Sequence, residues 1–402
     1  MRNAAAIIAP PSAEVPARAP LRVALFSGNY NYVIDGPVRA LNKLVAHLEA
    51  RGHQALVLAP TTRKPALRHA GELISVPSVA LPGSRREYRL GLGISAAARK
   101  RLEAFAPTII HVAAPDWLGL AALNYARDKG LPVVASFHTR FDTYPRYYGM
   151  AWLEKHVTGY MRYFYRRCTR VYAPSESMVE ELRRDGIGRD IRLWERGVDH
   201  ELFNPLRRDM AWRRNCGFAD EDVVVAFVGR VVLEKGIDVF AAAVREASES
   251  DPNIRALVVG DGPVRERFEE MLPDAVFAGF LQGEDLARAY ASADIFFNPS
   301  VTETFGNVTL EAMASGLPSI CAAASGSRSL VQHGETGFLL SDARNARGFA
   351  SALQSLARDP AQRMRMGSQA RTRSAAFEWS AILDRLITDY QDIVATTSAA
   401  QE

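Results

Sequence analysis

The sequence predicts an α/β protein made of two parallel-sheet halves. Apolar strand-like runs alternate with helix-period stretches from residue 21 onward, and the same rhythm restarts near residue 223. The chain's 402 residues also exceed what one compact core holds.

LRVALFSGN (21–29) reads as a buried strand ending in a Gly/Asn turn. Between Pro37 and Arg51 an amphipathic helix follows, with Leu41, Leu44, Val45 and Leu48 on one face and Gly52 closing it. QALVLAP (54–60) completes a strand–helix–strand unit. The pattern continues with TIIHVA (108–113), a helix over 117–129, PVVASFH (132–138), a long helix over 151–167, TRVYAPS (169–175) and a helix from 176. VVVAFVGR (223–230) opens the second half. A helix over 237–248, RALVVGDGP (255–263), VFAGFL (276–281), a helix over 285–292, DIFFNPS (294–300) and LPSICA (317–322) follow. The expected division is a flexible tail at 1–20, one Rossmann-like domain at 21–204, a second at 205–380, and a helix at 381–402 crossing back onto the first. Two such sheets face a cleft at the carboxyl ends of their strands, where open α/β sheets bind ligands.

Composition is ordinary for a globular protein, with 48% apolar and 23% charged residues. No apolar run approaches the roughly 20 residues of a spanning helix. The opening stretch MRNAAAIIAPPSAEVPARAP is too weak for a secretory signal. Cys168, Cys216 and Cys321 lie far apart with no CxxC pair, so free thiols and a cytoplasmic protein are expected. Residues 1–200 carry 29 Lys and Arg against 17 Asp and Glu, a net +12; residues 201–402 carry 20 against 28, a net −8. A basic first half suits an anionic partner, whether a membrane surface, nucleic acid or a phosphorylated substrate.

Four motifs carry chemistry. In ETFGNVTLE (303–311), Gly306 and Asn307 open a helix after a strand end, so the amides of Phe305, Gly306 and Asn307 form an anion site. Glu303 and Glu311 flank it, roughly 12 Å apart at helical rise, wider than the about 5 to 9.5 Å of a glycosidase pair. They read as hydroxyl-binding carboxylates around a bound phosphate. GRVVLEKG (229–236) supplies Arg230 and Lys235, suited to clamping a diphosphate. SGNYNYVIDGPVRAL (27–41) ends a strand and places Gly36 where backbone can approach phosphate. Neither this stretch nor VVGDGP is GxGxxG, which counts against a dehydrogenase. His138, in SFHTRFDTY, sits at a strand end facing the expected cleft.

These elements resemble glycosyltransferase family 4, retaining sugar-nucleotide enzymes of the GT-B fold. The resembling pieces are DGPVR, SFHT, YAPSESM, RGVDHELFNP, FVGRVVLEKG, VVGDGP, GFLQGEDLARAYASADIFFNPS, ETFGNVTLEAMASGLP and HGETGFL. The resemblance implies that Glu303 contacts the donor sugar's hydroxyls and that Phe305, Gly306 and Asn307 offer amides to sugar and phosphate. It gives Glu311 the ribose hydroxyls and Arg230 and Lys235 the diphosphate. Gly36 approaches that diphosphate from the first domain, and His138 sits beside the reacting sugar. Reaction on one face, with the leaving phosphate helping to deprotonate the acceptor, needs no protein nucleophile. HTRFDTYPRYYG and RGVD resemble the lipid-directed branch, which includes sulfoquinovosyl-diacylglycerol synthases and phosphatidylinositol or diacylglycerol mannosyltransferases. The departure is the first loop, NYNYVIDGPV, where relatives commonly carry a Pro-rich stretch before Gly-Val.

The implied function is transfer of a hexosyl or hexuronosyl group from a UDP-sugar or GDP-mannose to a membrane lipid such as diacylglycerol, ceramide or phosphatidylinositol. A soluble acceptor of polysaccharide synthesis, or a GT-B epimerase, stays open beside it. A phosphorylase would need a pyridoxal lysine among only six lysines, of which Lys235 is already assigned. No metal is expected, because the sole Asp-x-Asp match, Asp220-Glu221-Asp222, precedes a strand and reads as a solvated turn. No nucleic-acid module appears. The basic run Arg85, Arg86, Arg89, Arg99, Lys100 and Arg101, with WLEKHVTGYMRYFYRRC (152–168), suits an anionic bilayer surface and peripheral placement on the inner face of the cytoplasmic membrane. The 151–167 helix could equally pack its aromatics into the core.

Overall fold

A computed structural model describes residues 19–81, 87–138, 140 and 151–400. The tail through residue 18, Arg85, Arg86 and positions 139 and 141–149 of the HTRFDTYPRYYG stretch lie outside the described residues.

The first half contains β1 (Arg22–Phe26), β2 (Gln54–Ala59), β3 (Glu72–Ser75), β4 (Ser78–Ala80), β5 (Arg89–Gly91), β6 (Ile109–Val112), β7 (Val133–Ser136), β8 (Arg170–Ala173) and β9 (Ile191–Leu193). Strands β4 and β5 form a small antiparallel ribbon. The other seven make one parallel sheet in the order β3-β2-β1-β6-β7-β8-β9. Its helices are α1 (Gly36–Ala50), α2 (Ala96–Phe105), α3 (Trp117–Lys129), α4 (Glu154–Tyr165) and α5 (Glu176–Arg184).

The second half contains β10 (Val223–Val228), β11 (Ile254–Val259), β12 (Val276–Gly279), β13 (Ile295–Asn298), β14 (Ser319–Ala322) and β15 (Gly337–Leu340). They form a parallel sheet in the order β12-β11-β10-β13-β14-β15. The helices are α6 (Met210–Asn215), α7 (Ile237–Ser250), α8 (Arg265–Met271), α9 (Gly283–Ser292), α10 (Asn307–Ala314), α11 (Ser325–Leu330), α12 (Ala346–Arg358), α13 (Pro360–Ser374) and α14 (Trp379–Ala399).

These elements follow from local chemistry. Strand β10, VVVAFV, is buried at every residue because helices cover both faces of its sheet. Helix α1 starts where the Asp35 carboxylate accepts the Val38 N–H and Pro37 fits the first turn. In each sheet the strand order reverses beside the first strand, between β1 and β6 and between β10 and β13. The loops leaving β1 and β10 therefore open at the two switch points, where α/β sheets bind ligands. Those loops carry Gly36 and the Arg230–Lys235 segment.

The chain returns to the first half at its end. Val198 N–H donates to Phe377 C=O at 2.9 Å, so the two connections run side by side. Helix α14 then lies against the first sheet. Asp389 takes the Arg170 guanidinium and the Tyr172 hydroxyl. Asp384 accepts from Arg51 at 2.5 Å and lies 2.7 Å from His47 Nε2.

The 151–167 stretch is a 3-10 turn, Ala151–Leu153, leading into α4. Met161, Phe164 and Tyr165 are buried in the first half, whereas Trp152 is 72% and Tyr163 53% exposed. The aromatics thus divide between core and surface. Among the described residues no helix is long and apolar enough to cross a membrane.

Asp389→Ala should strip two charge-assisted bonds from α14. The urea-unfolding midpoint is expected to fall by the equivalent of about 2 kcal/mol.

Candidate active site

A cleft of about 700 Å³ lies between the sheets, lined by His138, Arg196, Arg230, Lys235, Glu303 and Glu311 among others. That volume suits a small-molecule site. Each sequence-predicted site residue lies on its wall.

Gly306 holds φ at +99°, a left-handed backbone that glycine adopts without strain, and caps α10. The amide hydrogens of Phe305, Gly306 and Asn307 meet no backbone acceptor among the described residues. They remain for a ligand at the positive end of α10. Gly36 faces this helix from the first half, since a Cβ placed on it would come within 2.6 Å of Asn307 Nδ2. A larger residue at position 36 would displace the Asn307 side chain. Gly260 does related work on the floor, where a Cβ would lie 1.9 Å from Gly229 O.

The charged groups are paired with one another. Lys235 Nζ donates to Glu303, itself only 11% exposed. Arg230 reaches across the cleft to Glu87 at 2.7 Å. The two cations therefore do not converge on one point in this structure. Glu311 accepts from the Tyr290 hydroxyl at 3.1 Å and lies 4.0 Å from Arg39 of the opposite half. Burial pushes its carboxyl up to about 7, with Arg39 and Tyr290 opposing the shift.

His138 departs from its expected orientation. It lines the cleft, but both ring nitrogens face inward: Nε2 lies 2.8 Å from Ser136 Oγ, and Nδ1 accepts from Arg196 at 3.0 Å. Its backbone carbonyl accepts the Thr304 hydroxyl at 3.0 Å, beside Glu303. Burial first, then the Arg196 charge, hold this imidazole well below the usual histidine range. It is a neutral ring.

Sequence reasoning did not assign Arg39, Glu87, Arg196, Tyr290 and Thr304. Arg196 stood inside the RGVD motif without a role. The others pair across 143 or more positions, or in Tyr290's case across 21, and nothing local marks such partners.

Among the described residues no three His, Cys, Asp or Glu side chains gather as a metal site. Asp220 pairs with Arg214 at 2.6 Å, and Asp222 accepts the Ala219 N–H at 2.7 Å. The three cysteines are unpaired.

Residues 34–202 match the family model described as Glycosyltransferase Family 4, and residues 222–359 the one described as Glycosyl transferases group 1. A GDP-mannose-dependent alpha-mannosyltransferase of Mycolicibacterium smegmatis is 36% identical over 388 residues, 94% of this chain and 99% of that protein. The chain belongs to glycosyltransferase family 4. As a family 4 member it is a glycosyltransferase, and its two facing sheets are the GT-B fold. The sulfoquinovosyl transferase of Arabidopsis thaliana is 31% identical over 377 residues, 91% of this chain and 72% of that protein. The solved sucrose-phosphate synthase of Thermosynechococcus elongatus shares the fold with a TM-score of 0.78 at 22% identity, covering 94% of this chain and all of its own.

Glu311 gives a pH signature. Its folded value lies above the ordinary 4.5, so the stability it contributes is full below pH 4.5 and is lost as pH rises through about 7. From pH 5 to pH 8 the wild type should lose roughly 2–4 kcal/mol relative to Glu311→Gln. Paired urea-unfolding curves at the two pH values check this.

Proposed function

We propose that this family 4 enzyme transfers a hexosyl or hexuronosyl group, with retention and without a metal, from a nucleotide sugar to a membrane lipid. The observation that carries the reading is the wall formed by Arg230, Lys235, Glu303, Glu311 and the free amides at the start of α10, facing Gly36 of the first half across one cleft. A cation pair, an anion-binding helix end and two carboxylates suit a diphosphate flanked by two sets of hydroxyls. Glu303 holds the sugar, Glu311 the ribose, and Arg230 and Lys235 the diphosphate. The relatives' names point the same way, being GDP-mannose-dependent, sulfoquinovosyl and, at lower identity, alpha-monoglucosyldiacylglycerol enzymes.

In the reaction the sugar C1–O bond to phosphate breaks while the acceptor oxygen bonds C1 on the same face. The acceptor's proton passes to the departing phosphate. Lys235 and the α10 amides stabilise the charge that develops there.

The membrane part of the reading rests on α4. Trp152 stands exposed on the turn before it and Tyr163 on the helix itself, the Arg167 guanidinium just after it lies 4.4 Å from the Tyr163 ring, and Lys155, Arg166 and Arg167 are exposed. Such a face suits peripheral binding to an anionic inner leaflet, each cation near the surface adding about 1 kcal/mol.

The test offers GDP-mannose, UDP-glucose, UDP-galactose and UDP-glucuronate, each labelled, with EDTA and vesicles of diacylglycerol, ceramide and phosphatidylinositol. Label entering the organic phase is expected. Label that stays in water would give the acceptor to soluble saccharides, and transfer that returns only with added metal would overturn the metal-free reading. Glu303→Ala should lower kcat about 100-fold with little change in nucleotide affinity. Glu311→Ala should chiefly weaken nucleotide binding, and equal, negligible effects would remove both assignments.

A further inference from the structure

Strands β6 and β7 read IIHV and VVAS, buried at every residue. A histidine and a serine in such a layer are costly unless bonded. They are bonded, in a line that crosses the first half. The Tyr390 hydroxyl on α14 lies 2.7 Å from His111 Nδ1, His111 Nε2 lies 2.9 Å from Ser136 Oγ, and Ser136 Oγ lies 2.8 Å from His138 Nε2. Arg196 closes the line, donating to His138 Nδ1 at 3.0 Å and, through its other terminal nitrogen, to the Trp194 carbonyl at 2.6 Å. Tyr390, His111 and Ser136 have no exposed surface, and Arg196 has 4%.

The proton positions follow from one end. A guanidinium only donates, so His138 Nδ1 is an acceptor and its proton sits on Nε2. Ser136 Oγ accepts that proton's bond and turns its own hydrogen toward His111 Nε2. His111 then carries its proton on Nδ1 and gives it to the Tyr390 oxygen. Removing that oxygen strands His111 Nδ1–H in the core. The alternative is a tautomer switch, which sends a hydrogen back at Ser136 and competes with His138 for the serine oxygen.

We propose that Tyr390, His111, Ser136 and Arg196 are positioning residues for the transfer: they hold His138 in one tautomer and one orientation at the cleft edge, and Tyr390 makes that orientation depend on the C-terminal helix being seated. The inference rests on the reading that His138 lies beside the reacting sugar. Its ring is the anchor, and what it fixes toward the cleft is the His138 backbone carbonyl that meets the Thr304 hydroxyl.

The test uses the full chain and four variants, Tyr390→Phe, Ser136→Ala, the double variant and His138→Ala. The readouts are kcat and KM for the donor turned over in the vesicle assay, and imidazole ¹⁵N shifts, with the His138 signal assigned by its loss in His138→Ala. Asp389 still ties α14 in every variant, so a fold-level loss is visible separately by circular dichroism. Tyr390→Phe is expected to change the His138 ¹⁵N pattern and lower kcat about 10-fold, with donor KM within 2-fold. Ser136→Ala should match it, and the double variant should be no worse than the poorer single one, because one line is cut twice. Wild-type ¹⁵N shifts and kcat in Tyr390→Phe, or losses that multiply in the double variant, would overturn the proposal. Full activity of His138→Ala would overturn both the proposal and the reading beneath it, whereas an inactive His138→Ala beside a fully active Tyr390→Phe would overturn the proposal alone.

Discussion

Asp389 holds the Arg170 guanidinium and the Tyr172 hydroxyl while its neighbour Tyr390 bonds His111, all beneath the first sheet. These contacts join the last helix of the chain to strands laid down more than 200 residues earlier. The cleft depends on them. Its walls belong to different halves, with Gly36, Arg39, Glu87 and His138 on one side and Arg230, Lys235, Glu303 and Glu311 on the other. Distances between such groups have meaning only if the halves share a fixed frame, and a linker near residues 200–222 alone would not supply one. A half-buried aspartate bonded at once to a cation and a phenol is directional, and its charge-assisted bonds are stronger than neutral ones.

Contacts at the cleft's flanks work within that frame. The Ser175 hydroxyl donates to Thr304 C=O at 2.8 Å, and Glu181 on α5 accepts from Ser325 at 2.5 Å and Arg328 at 3.2 Å on α11. Arg140 adds 3.0 Å and 3.1 Å pairs to Glu181 and Asp185. These groups are about as shielded from water as the anchor on α14, with Arg140 22% and Glu181 17% exposed against 16% for Arg170 and 29% for Asp389.

Much of this was legible in the sequence because it is local. The βαβ rhythm follows from apolar runs and their periods, and the wall residues follow from strand ends joined to helix starts. ETFGNVTLE showed its glycine and its carboxylates without any partner in view. What was not legible is non-local or faintly patterned. Strand β3, ELIS, is a half-exposed edge with no apolar alternation, and β9 has three residues, two of them exposed. Lys235 and Glu303 were each read as ligands of substrate, and that they would meet each other across 68 positions had no local sign. His138 was placed correctly at a strand end, but its ring direction is set by Arg196, 58 residues away. Periodicity also could not divide the aromatics of α4, since helical phase alone does not say which face another element covers.

The side-by-side crossings at Val198 and Phe377 have a mechanical consequence. Two bodies joined by one strand of chain can bend, swing and twist about it, as on a ball joint. Two crossings held side by side by a backbone hydrogen bond resist twisting more than one crossing would. Any bending confined to this pair of crossings would keep each loop of the first half opposite the same partner in the second.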